Sequence, residues 1–495
     1  MKKYLISTIV GIGLFFGISY GANYDILDPR LPGYEQSLIY RFRVAAGYSH
    51  TYNHNDQDYQ PNAGFNKTLF DYLSSEQKQF LARQWDDVKF NGLIRLKENW
   101  VGINEADENY SDLQTSLTLG VHFTIKDKIE VCNEVSFYRS DSTYNLDDAS
   151  RTGEFLSDPL ISHNFENRGA IASGIDIFEL QTERAFIKTE AMGVAIQTGR
   201  DRLQLKNGYR NGLMLSGLTR PIDMYYRLDY SFWRIGITAL AGQMTEADRR
   251  YIAVKRVTLR LADNLQLGAT EAAANFDDPM VYINPIALFY IVHRHRTDNE
   301  DNLIACFDFS YTPFKSFNIY GEFLDDDYIM FKGGASKYGY LLGLFKTGLF
   351  DERLDMRLEY AKVRKWTYTH ASHLNPWEYR GQPFGFWLGP DADELYTQVT
   401  YLFNPRFNAS LNIDYARKGE GDLYHPYEDD WEQDKTPPFP SGIVEKSIGG
   451  WVDVRYNIDH LELRGRLGYR SIDNRGNQPN ELDSYFMHMT FKIEL

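Results

Sequence analysis

The fold class is decided by residues 113–125, which read LQTSLTLGVHFTI. Almost every second position in this stretch is apolar, and the positions between are small or polar. Because the side chains of a strand point alternately to its two faces, the pattern predicts a strand with one apolar face. The same period of two recurs in residues 129–137 and 407–415. It is typical of half-buried strands in soluble sandwiches and equally of strands in membrane barrels.

The connections between the strands alternate in length, and this separates the two cases. Short turns lie at 126–128, 262–264, 312–316, 350–352, 404–406 and 458–460, and long loops at 139–175, 201–223, 272–302, 325–338, 365–394, 418–446 and 472–483. Short turns on one side and long outward loops on the other are typical of outer-membrane barrels. We therefore predict an all-β fold, a transmembrane antiparallel β-barrel of about 18 strands. A large soluble β-sandwich gives no reason for this alternation.

The composition excludes several other classes of protein. Asp and Glu number 68 against 53 Lys and Arg, so the chain has a net charge of −15 and lacks the basic footprint of a nucleic-acid binder. Two cysteines are too few for a disulfide scaffold or a Cys-rich metal site. The mean hydropathy of −0.46 excludes a helical membrane bundle but not a barrel with a polar lumen.

The N-terminus predicts export. Lys2 and Lys3 precede an apolar run at 4–18, and the small residues at 19 and 21 predict signal-peptide cleavage before Ala22. Removing residues 1–21 takes away two lysines and no acids, so the net charge changes from −15 to −17.

The mature chain divides into two parts. Residues 22–87 are predicted as a short periplasmic or lumen-plugging segment, with a strand at 38–49 and a short helix at 74–85. Residues 88–495 are predicted as the barrel in the outer membrane of a Gram-negative type of cell. The last residues, 485–495, resemble the closing strand that barrel-assembly machinery recognises, although the final residue is Leu495 and not an aromatic.

Three stretches carry a family resemblance. The first is GRDR at 199–202 followed by LMLSGLTRP at 213–221, the second is LQLGATE at 265–271, YINP at 282–285 and YGEFLDDD at 320–327, and the third is YTH at 368–370, YRGQPFG at 379–385 and GPDAD at 389–393. In this order they resemble the Wzi-like family of capsule-assembly outer-membrane proteins. The resemblance implies an 18-stranded barrel that acts as a surface lectin for capsular or related polysaccharide. It also implies that internal segments obstruct the lumen and that the protein is not an enzyme.

Aromatic residues of the long loops are the candidates for polysaccharide contact, because sugars stack on aromatic rings while polar side chains bind their hydroxyls. The candidates are Trp366, Tyr368, His370, Trp377, Tyr379, Arg380, Trp387 and Trp431. The alternative is that these rings pack the loop on itself or belong to the membrane-interface girdle. Clustered carboxylates at 418–446 and 325–327 suit a bridging divalent cation, although a solvated acidic loop is the favoured explanation.

Arg200, Arg202 and Arg220 are predicted as basic residues of the lumen, where they would attract acidic sugar or pair with carboxylates such as Glu183. His293 and His295 share one face of a predicted strand, but no third ligand accompanies them, so we predict no zinc site. The sequence contains no G-x-S-x-G nucleophile elbow and no Ser–His pair at a recognisable spacing, so we expect no catalysis and no resident cofactor.

Two functions are consistent with the sequence. The first is a monomeric polysaccharide-binding barrel in outer-membrane lipid. The second is a porin or a polysaccharide-export channel similar to the alginate-export barrels, because a barrel of this size is wide enough for an aqueous bore. Whether loop 272–302 folds into the lumen is the feature expected to discriminate between them.

Overall fold

The structure is a computed structural model. It describes residues 41, 44, 82–85, 88–105, 108–126, 128–142, 179–191, 193–245, 250–276, 278, 280–282, 284, 286–295, 301–326, 335–371, 375–379, 381–427, 435–458 and 460–495. The predicted signal peptide and the greater part of residues 22–87 lie outside this range. Among the described residues, no helix is both long enough and apolar enough to cross a bilayer.

Strands make up most of the described chain. They are β1 (Ala82–Trp85), β2 (Val88–Glu105), β3 (Glu108–Ile125), β4 (Ile129–Ser142), β5 (Glu179–Ala191), β6 (Val194–Asp201), β7 (Gln204–Leu205), β8 (Leu215–Ser216), β9 (Ile222–Phe232), β10 (Ile235–Thr245), β11 (Arg250–Ala262), β12 (Leu265–Phe276), β13 (Asn302–Phe314), β14 (Phe317–Asp326), β15 (Tyr338–Lys346), β16 (Leu354–Val363), β17 (Glu378–Tyr379), β18 (Gln382–Pro383), β19 (Ala392–Asn404), β20 (Phe407–Lys418), β21 (Glu445–Ile458), β22 (Leu461–Asp473) and β23 (Glu481–Glu494). An α-helix, α1, spans Phe289–Arg294, and a 3₁₀ turn spans Arg475–Asn477.

Eighteen of these strands form one closed antiparallel barrel. Each long strand pairs with its neighbour in the chain, and β23 closes the barrel on β2, with Arg95 opposite Glu494 and Glu105 opposite Ser484. The predicted outer-membrane barrel of about 18 strands is therefore confirmed. Its first strand begins at Val88, and its last ends one residue before the predicted Leu495.

The two faces of the barrel follow the period of two in the sequence. Large apolar side chains such as Leu267, Phe307 and Leu467 are exposed on the outer face, as lipid contact requires. Polar and charged side chains alternate with them and are buried in the lumen. In β16, for example, Asp355 and Glu359 are buried on the inner face.

Two N-terminal predictions are wrong where the structure describes them. Arg41 and Val44 are helical, whereas a strand was expected at 38–49. Residues 82–85 are the strand β1, which pairs with the start of β2, whereas a helix was expected there. The cause is pairing: the first residues of β2 extend beyond the end of β23, so β1 supplies hydrogen bonds that local helix signals do not reveal.

The loop between β12 and β13 packs on the outside of the barrel. Backbone N–H groups of Phe289 and Tyr290 donate to the Glu271 carboxylate at 2.8 and 2.7 Å. Glu271 lies opposite Ala305, which is on the same face as the lipid-exposed Phe307. The described residues of this loop therefore do not enter the lumen. Residues 202–221 enter the lumen instead.

Candidate functional site

Residues 202–221, here called the lumen segment, connect β6 to β9 through the interior of the barrel. Strands β7 and β8 pair within it as a small hairpin. Between them, residues 206–214 reach strands β13 to β20 on the opposite part of the wall. Glycines at 208 and 212 allow close packing: a Cβ at Gly208 would overlap the carbonyl oxygen of Asn211.

The Glu322 carboxylate, on the inner face of β14, accepts hydrogen bonds from three backbone N–H groups of the lumen segment. Its Oε1 accepts from Asn207 at 2.6 Å and from Gly208 at 3.1 Å, and its Oε2 accepts from Leu213 at 2.7 Å. Buried N–H groups need partners, and a carboxylate is a strong acceptor. Glu322 therefore holds both arms of the turn at 207–213.

Glu359, on the inner face of β16, binds the tip of the same turn. It accepts from the backbone N–H groups of Tyr209 at 2.7 Å, Asn211 at 2.8 Å and Arg210 at 3.2 Å. The Tyr320 hydroxyl donates to it at 2.8 Å. Two carboxylates thus satisfy six backbone donors of a segment that has no sheet partner in this region.

The Arg210 side chain extends the anchorage to β19 and β20. Its Nε lies 2.8 Å from Glu394 and its Nη2 lies 3.3 Å from Asp414. The guanidinium also lies 4.9 Å from the ring centre of Tyr396 and 5.8 Å from that of Trp451. Such buried pairs define one arrangement of the segment, because a displaced arginine would leave the buried Glu394 carboxylate without its cation, whereas Asp414 would keep Arg470.

A second segment, the covering loop of residues 364–391, packs on the lumen segment. The Tyr368 hydroxyl donates to the carbonyl oxygen of Leu213 at 2.5 Å, and the Trp377 indole N–H donates to that of Met214 at 2.9 Å. Burial raises the pKa of the Tyr368 phenol well above its ordinary value, so this hydroxyl remains a donor.

The covering loop has its own anchors in the wall and in the neighbouring loop. The backbone N–H of Tyr368 donates to Asp326 at 2.6 Å. Asp391, with a left-handed φ of 55°, accepts from the Ser441 hydroxyl at 2.5 Å and from the Gly421 N–H at 3.1 Å. Loop 419–444 is thereby tied to the covering loop. The acidic residues of two family motifs thus bind polar groups of these loops.

The three stretches that carry the family resemblance therefore contribute to one assembly. The first supplies the end of the lumen segment, the second supplies Glu322 and Asp326, and the third supplies Tyr368 and Asp391. In the sequence these stretches are far apart. In the structure they form a packed unit that includes the lumen segment.

Four of the predicted polysaccharide contacts are structural in this conformation. Trp366, Tyr368, Trp377 and Tyr379 are all buried, each with 2% or less of its surface exposed. A ring without an exposed face cannot stack on a sugar, so direct contact is contradicted for these four. They pack the covering loop on itself, as the alternative interpretation held.

Of the other four predicted contacts, two are partly exposed and two are not described by the structure. Trp387 and His370 are half-buried and keep part of their surface accessible. Trp387 donates from its indole nitrogen to Glu394 at 3.2 Å, next to the anchored Arg210. Arg380 and Trp431 lie outside the described residues, as do the acidic residues 428–430.

The three predicted lumen arginines are distributed differently from expectation. Arg202 lies 3.9 Å from Glu183 and donates to the Thr219 carbonyl at 2.8 Å. Arg220 is buried. The prediction of a lumen position is wrong for Arg200. This residue lies opposite Ala185, on the face of the lipid-exposed Ile187, and so belongs to the outer surface.

The described part of the His-Arg-His-Arg stretch, residues 293–295, is not a strand. His293 is in α1, and His295 follows the end of that helix. The Nδ1 atom of His293 lies 3.1 Å from Asp301. This pair joins the end of the helix to the start of β13.

The N-terminal region contacts the periplasmic end of the same bore. The Arg41 Nε donates to Asp355 at 2.7 Å, at the periplasmic end of β16. The carbonyl oxygen of Val44 accepts from the N–H of Ser316, in the turn between β13 and β14, and the Val44 side chain is fully buried. A lumen-plugging role for the rest of residues 22–87 remains a prediction.

Sequence reasoning missed the residues that hold the lumen segment. They are the inward-facing carboxylates of Asp308, Glu322, Glu359, Glu394 and Asp414, supplied by β13, β14, β16, β19 and β20. They come from five different strands and are far apart in the sequence, so no single local motif marks them as a set. The available signal was acidic residues at inward positions of neighbouring strands, which becomes informative only when the register is known.

The sequence model of the family described as capsule assembly protein Wzi matches residues 85–483. The solved structure of Wzi, an outer-membrane protein involved in group 1 capsule assembly in Escherichia coli and described as a carbohydrate-binding β-barrel, superimposes with a TM-score of 0.62 at 13% identity, covering 96% of this chain and 99% of that one.

More distant likenesses are to two further solved structures. Pseudomonas aeruginosa OpdL gives a TM-score of 0.48 at 9% identity, covering 82% of this chain and 98% of its own. Acinetobacter baumannii OccAB1 gives 0.46 at 12% identity, covering 84% of this chain and 100% of its own. No curated protein matches the chain in sequence.

Proposed function

Since the chain belongs to the Wzi family of capsule assembly proteins, we propose that it is a lectin-like outer-membrane barrel that binds capsular or related polysaccharide and organises it at the cell surface. The related Escherichia coli barrel is described as carbohydrate-binding, which supports this class of ligand. The polymer would be held at the outward end of the barrel, where the long loops meet.

The observation that carries the proposal is the anchored lumen segment. Glu322 and Glu359 accept six backbone hydrogen bonds from it, and Arg210 is held by two further carboxylates. A transport pore needs an unobstructed bore, whereas a binding protein benefits from a rigid platform beneath its outer loops. This arrangement favours binding over transport.

Trp387 and His370 are the described residues that we assign to polysaccharide contact. Both are half-buried in the covering loop, so part of each side chain remains accessible. Sugar rings stack on an aromatic face of this kind. Arg380 and Trp431 are retained as proposed contacts, because an arginine would pair with carboxylated sugars and a tryptophan would stack on a sugar ring.

We further propose that the barrel acts as a monomer in outer-membrane lipid, without catalysis and without a resident cofactor for polysaccharide binding. The barrel-assembly machinery would insert it through its closing strand. A divalent cation bridging the acidic outer loops to an anionic polymer would explain how a chain with a net charge of −15 retains such a ligand.

The test is direct binding of purified capsular polysaccharide to the detergent-solubilised barrel, measured by biolayer interferometry with and without Ca²⁺. We expect saturable binding that weakens by about tenfold in the double variant His370→Ala, Trp387→Ala, the size expected from losing about 1.4 kcal/mol of stacking and hydrogen bonding. Tyr485→Ala is the matched control, because this exposed ring lies on the outer face and away from the covering loop.

Planar-bilayer recordings test the alternative function, a transport pore. Large, steady channels in the wild-type protein, together with no polysaccharide binding, would replace the proposal with the transport pore. Equal binding by the wild-type protein and the double variant would reassign the contact to other loop residues.

A further inference from the structure

Three side chains that could ligate a metal ion meet on the inner wall of the barrel, and none of them belongs to the lumen segment. They are His122 on β3 and Cys132 and Glu134 on β4. The His122 Nε2 lies 3.0 Å from the Glu134 Oε1 and 3.3 Å from the Cys132 Sγ, and the Sγ lies 3.8 Å from the Oε1. These three atoms are therefore mutually within reach of one ion.

The register of the two strands creates this cluster. His122 lies directly opposite Cys132 in the antiparallel pair, so the two side chains project from the same face. Glu134 is two residues further along β4 and shares that face. Opposite Glu134 is Gly120, and a Cβ there would lie 3.1 Å from the Glu134 Cγ. The missing side chain gives the carboxylate room beside His122.

The distances fit tetrahedral coordination. Zinc binds sulfur at about 2.3 Å and nitrogen or oxygen at about 2.0–2.2 Å, so ligand atoms at tetrahedral angles are separated by about 3.2–3.7 Å. The three observed separations, 3.0, 3.3 and 3.8 Å, lie close to this range. Only small side-chain adjustments would place all three atoms around one ion.

Burial holds the ligand side chains in place, and the partly exposed His122 leaves a path from the lumen to the cluster. Cys132 and Glu134 are buried, whereas the His122 side chain is 17% exposed and borders the lumen. An ion could therefore enter from the lumen, and a water molecule could take the fourth position. This arrangement of three protein ligands and one open position is common in zinc sites.

The surrounding charges select the type of ion. Arg184 lies 3.6 Å and Arg95 lies 3.8 Å from the Glu134 carboxylate, so the site does not attract cations by charge alone. A hard cation such as Ca²⁺ prefers several oxygen ligands and would find one carboxylate here. A thiophilic ion gains instead from a thiolate and an imidazole.

We propose that His122, Cys132 and Glu134 bind one thiophilic divalent cation, Zn²⁺, on the lumen wall between β3 and β4. On binding, the Cys132 thiol releases its proton to solvent and the sulfur ligates the ion, so affinity falls as the pH is lowered. Because only the folded barrel brings the ligands together, the ion stabilises the barrel and links two neighbouring strands.

The test uses the full-length barrel, purified in detergent with a chelator and then titrated with Co²⁺ alone. We expect a thiolate-to-cobalt charge-transfer band in the near ultraviolet that saturates at one ion per barrel and disappears when Zn²⁺ is added. Cys132→Ser should abolish the band, and His122→Gln and Glu134→Gln should each weaken binding by about tenfold or more.

Cys306→Ser is the matched control, because Cys306 is also a buried free cysteine but belongs to β13 and is absent from the cluster. It should keep the band unchanged. Heat-modifiable migration on gels verifies that each variant is folded. The absence of a band in the folded wild-type protein, or its loss in Cys306→Ser in place of Cys132→Ser, would overturn the proposal. If Cys132→Ser does not fold, the wild-type, His122→Gln and Glu134→Gln titrations still decide the outcome.

Discussion

Removal of the Glu322 side chain should release the lumen segment and open the bore. In Glu322→Ala, the backbone N–H groups of Asn207, Gly208 and Leu213 lose their acceptor. An unsatisfied buried donor costs about 1–3 kcal/mol, so three together cost about 3–9 kcal/mol, an upper range because water entering the lumen would satisfy some of them. At the lower end, 3 kcal/mol corresponds to about a 100-fold increase in the released population.

Single-channel recording in planar bilayers measures this population as the fraction of time for which current flows. We expect rare or absent openings in the wild-type barrel and about 100-fold longer total open time in Glu322→Ala. Glu322→Gln should have a smaller effect, because its amide retains one carbonyl oxygen that accepts hydrogen bonds.

Asp483→Ala is the matched control, since it also removes a carboxylate but from the rim, where Asp483 accepts from the Tyr469 hydroxyl at 2.6 Å. It should conduct like the wild-type protein. If folded Glu322→Ala were as silent as this control, the carboxylate would not hold the segment, and the reasoning from unsatisfied donors would be refuted.

Three further predictions concern the loops and the wall. Tyr368→Phe removes the donor to the Leu213 carbonyl and should speed amide hydrogen exchange in the covering loop by about tenfold, for a cost of about 1–2 kcal/mol; unchanged exchange would contradict this. Gly199→Ala should lower the unfolding temperature, since Gly199 has a φ of 136° and a Cβ there would overlap the Ala185 carbonyl oxygen. The expected cost is about 3 kcal/mol or more. An unfolding temperature equal to that of the wild-type protein would contradict this clash. Burial raises the pKa of Glu378, so the folded state binds its proton more tightly than the unfolded state and local stability should fall as pH rises through this pKa. Glu378→Gln should remove that pH dependence from exchange rates in the covering loop, and a dependence that persists would assign it to another group.

Much of the barrel was predictable because strand periodicity and loop length are local properties. The alternation at 113–125 and the unequal connections indicated the number of strands, and the strand bounds agree closely with them. The long loops were also correctly placed. The loop expected to decide the state of the lumen was the wrong one: 272–302 packs outside where it is described, and residues 202–221 enter instead.

The roles of the aromatic residues were harder to predict. Trp377 and Tyr368 have the composition of a sugar-binding loop, yet both are buried against carbonyl oxygens of the lumen segment. A ring that packs and a ring that stacks on a ligand are identical in the sequence. Exposure distinguishes them, and exposure depends on which other loop lies beneath.

The sequence alone determines that this chain is an outer-membrane barrel, because period-two alternation and the order of short and long connections require no knowledge of distant contacts. The state of its lumen was decided by contacts between distant residues. Glu322 meets Leu213 across more than 100 residues, and His122 meets Cys132 through the register of two strands. The physical reason is that a buried carboxylate, thiol or backbone N–H is satisfied only by the partner that folding brings within hydrogen-bond or coordination distance, and local patterning does not specify that partner.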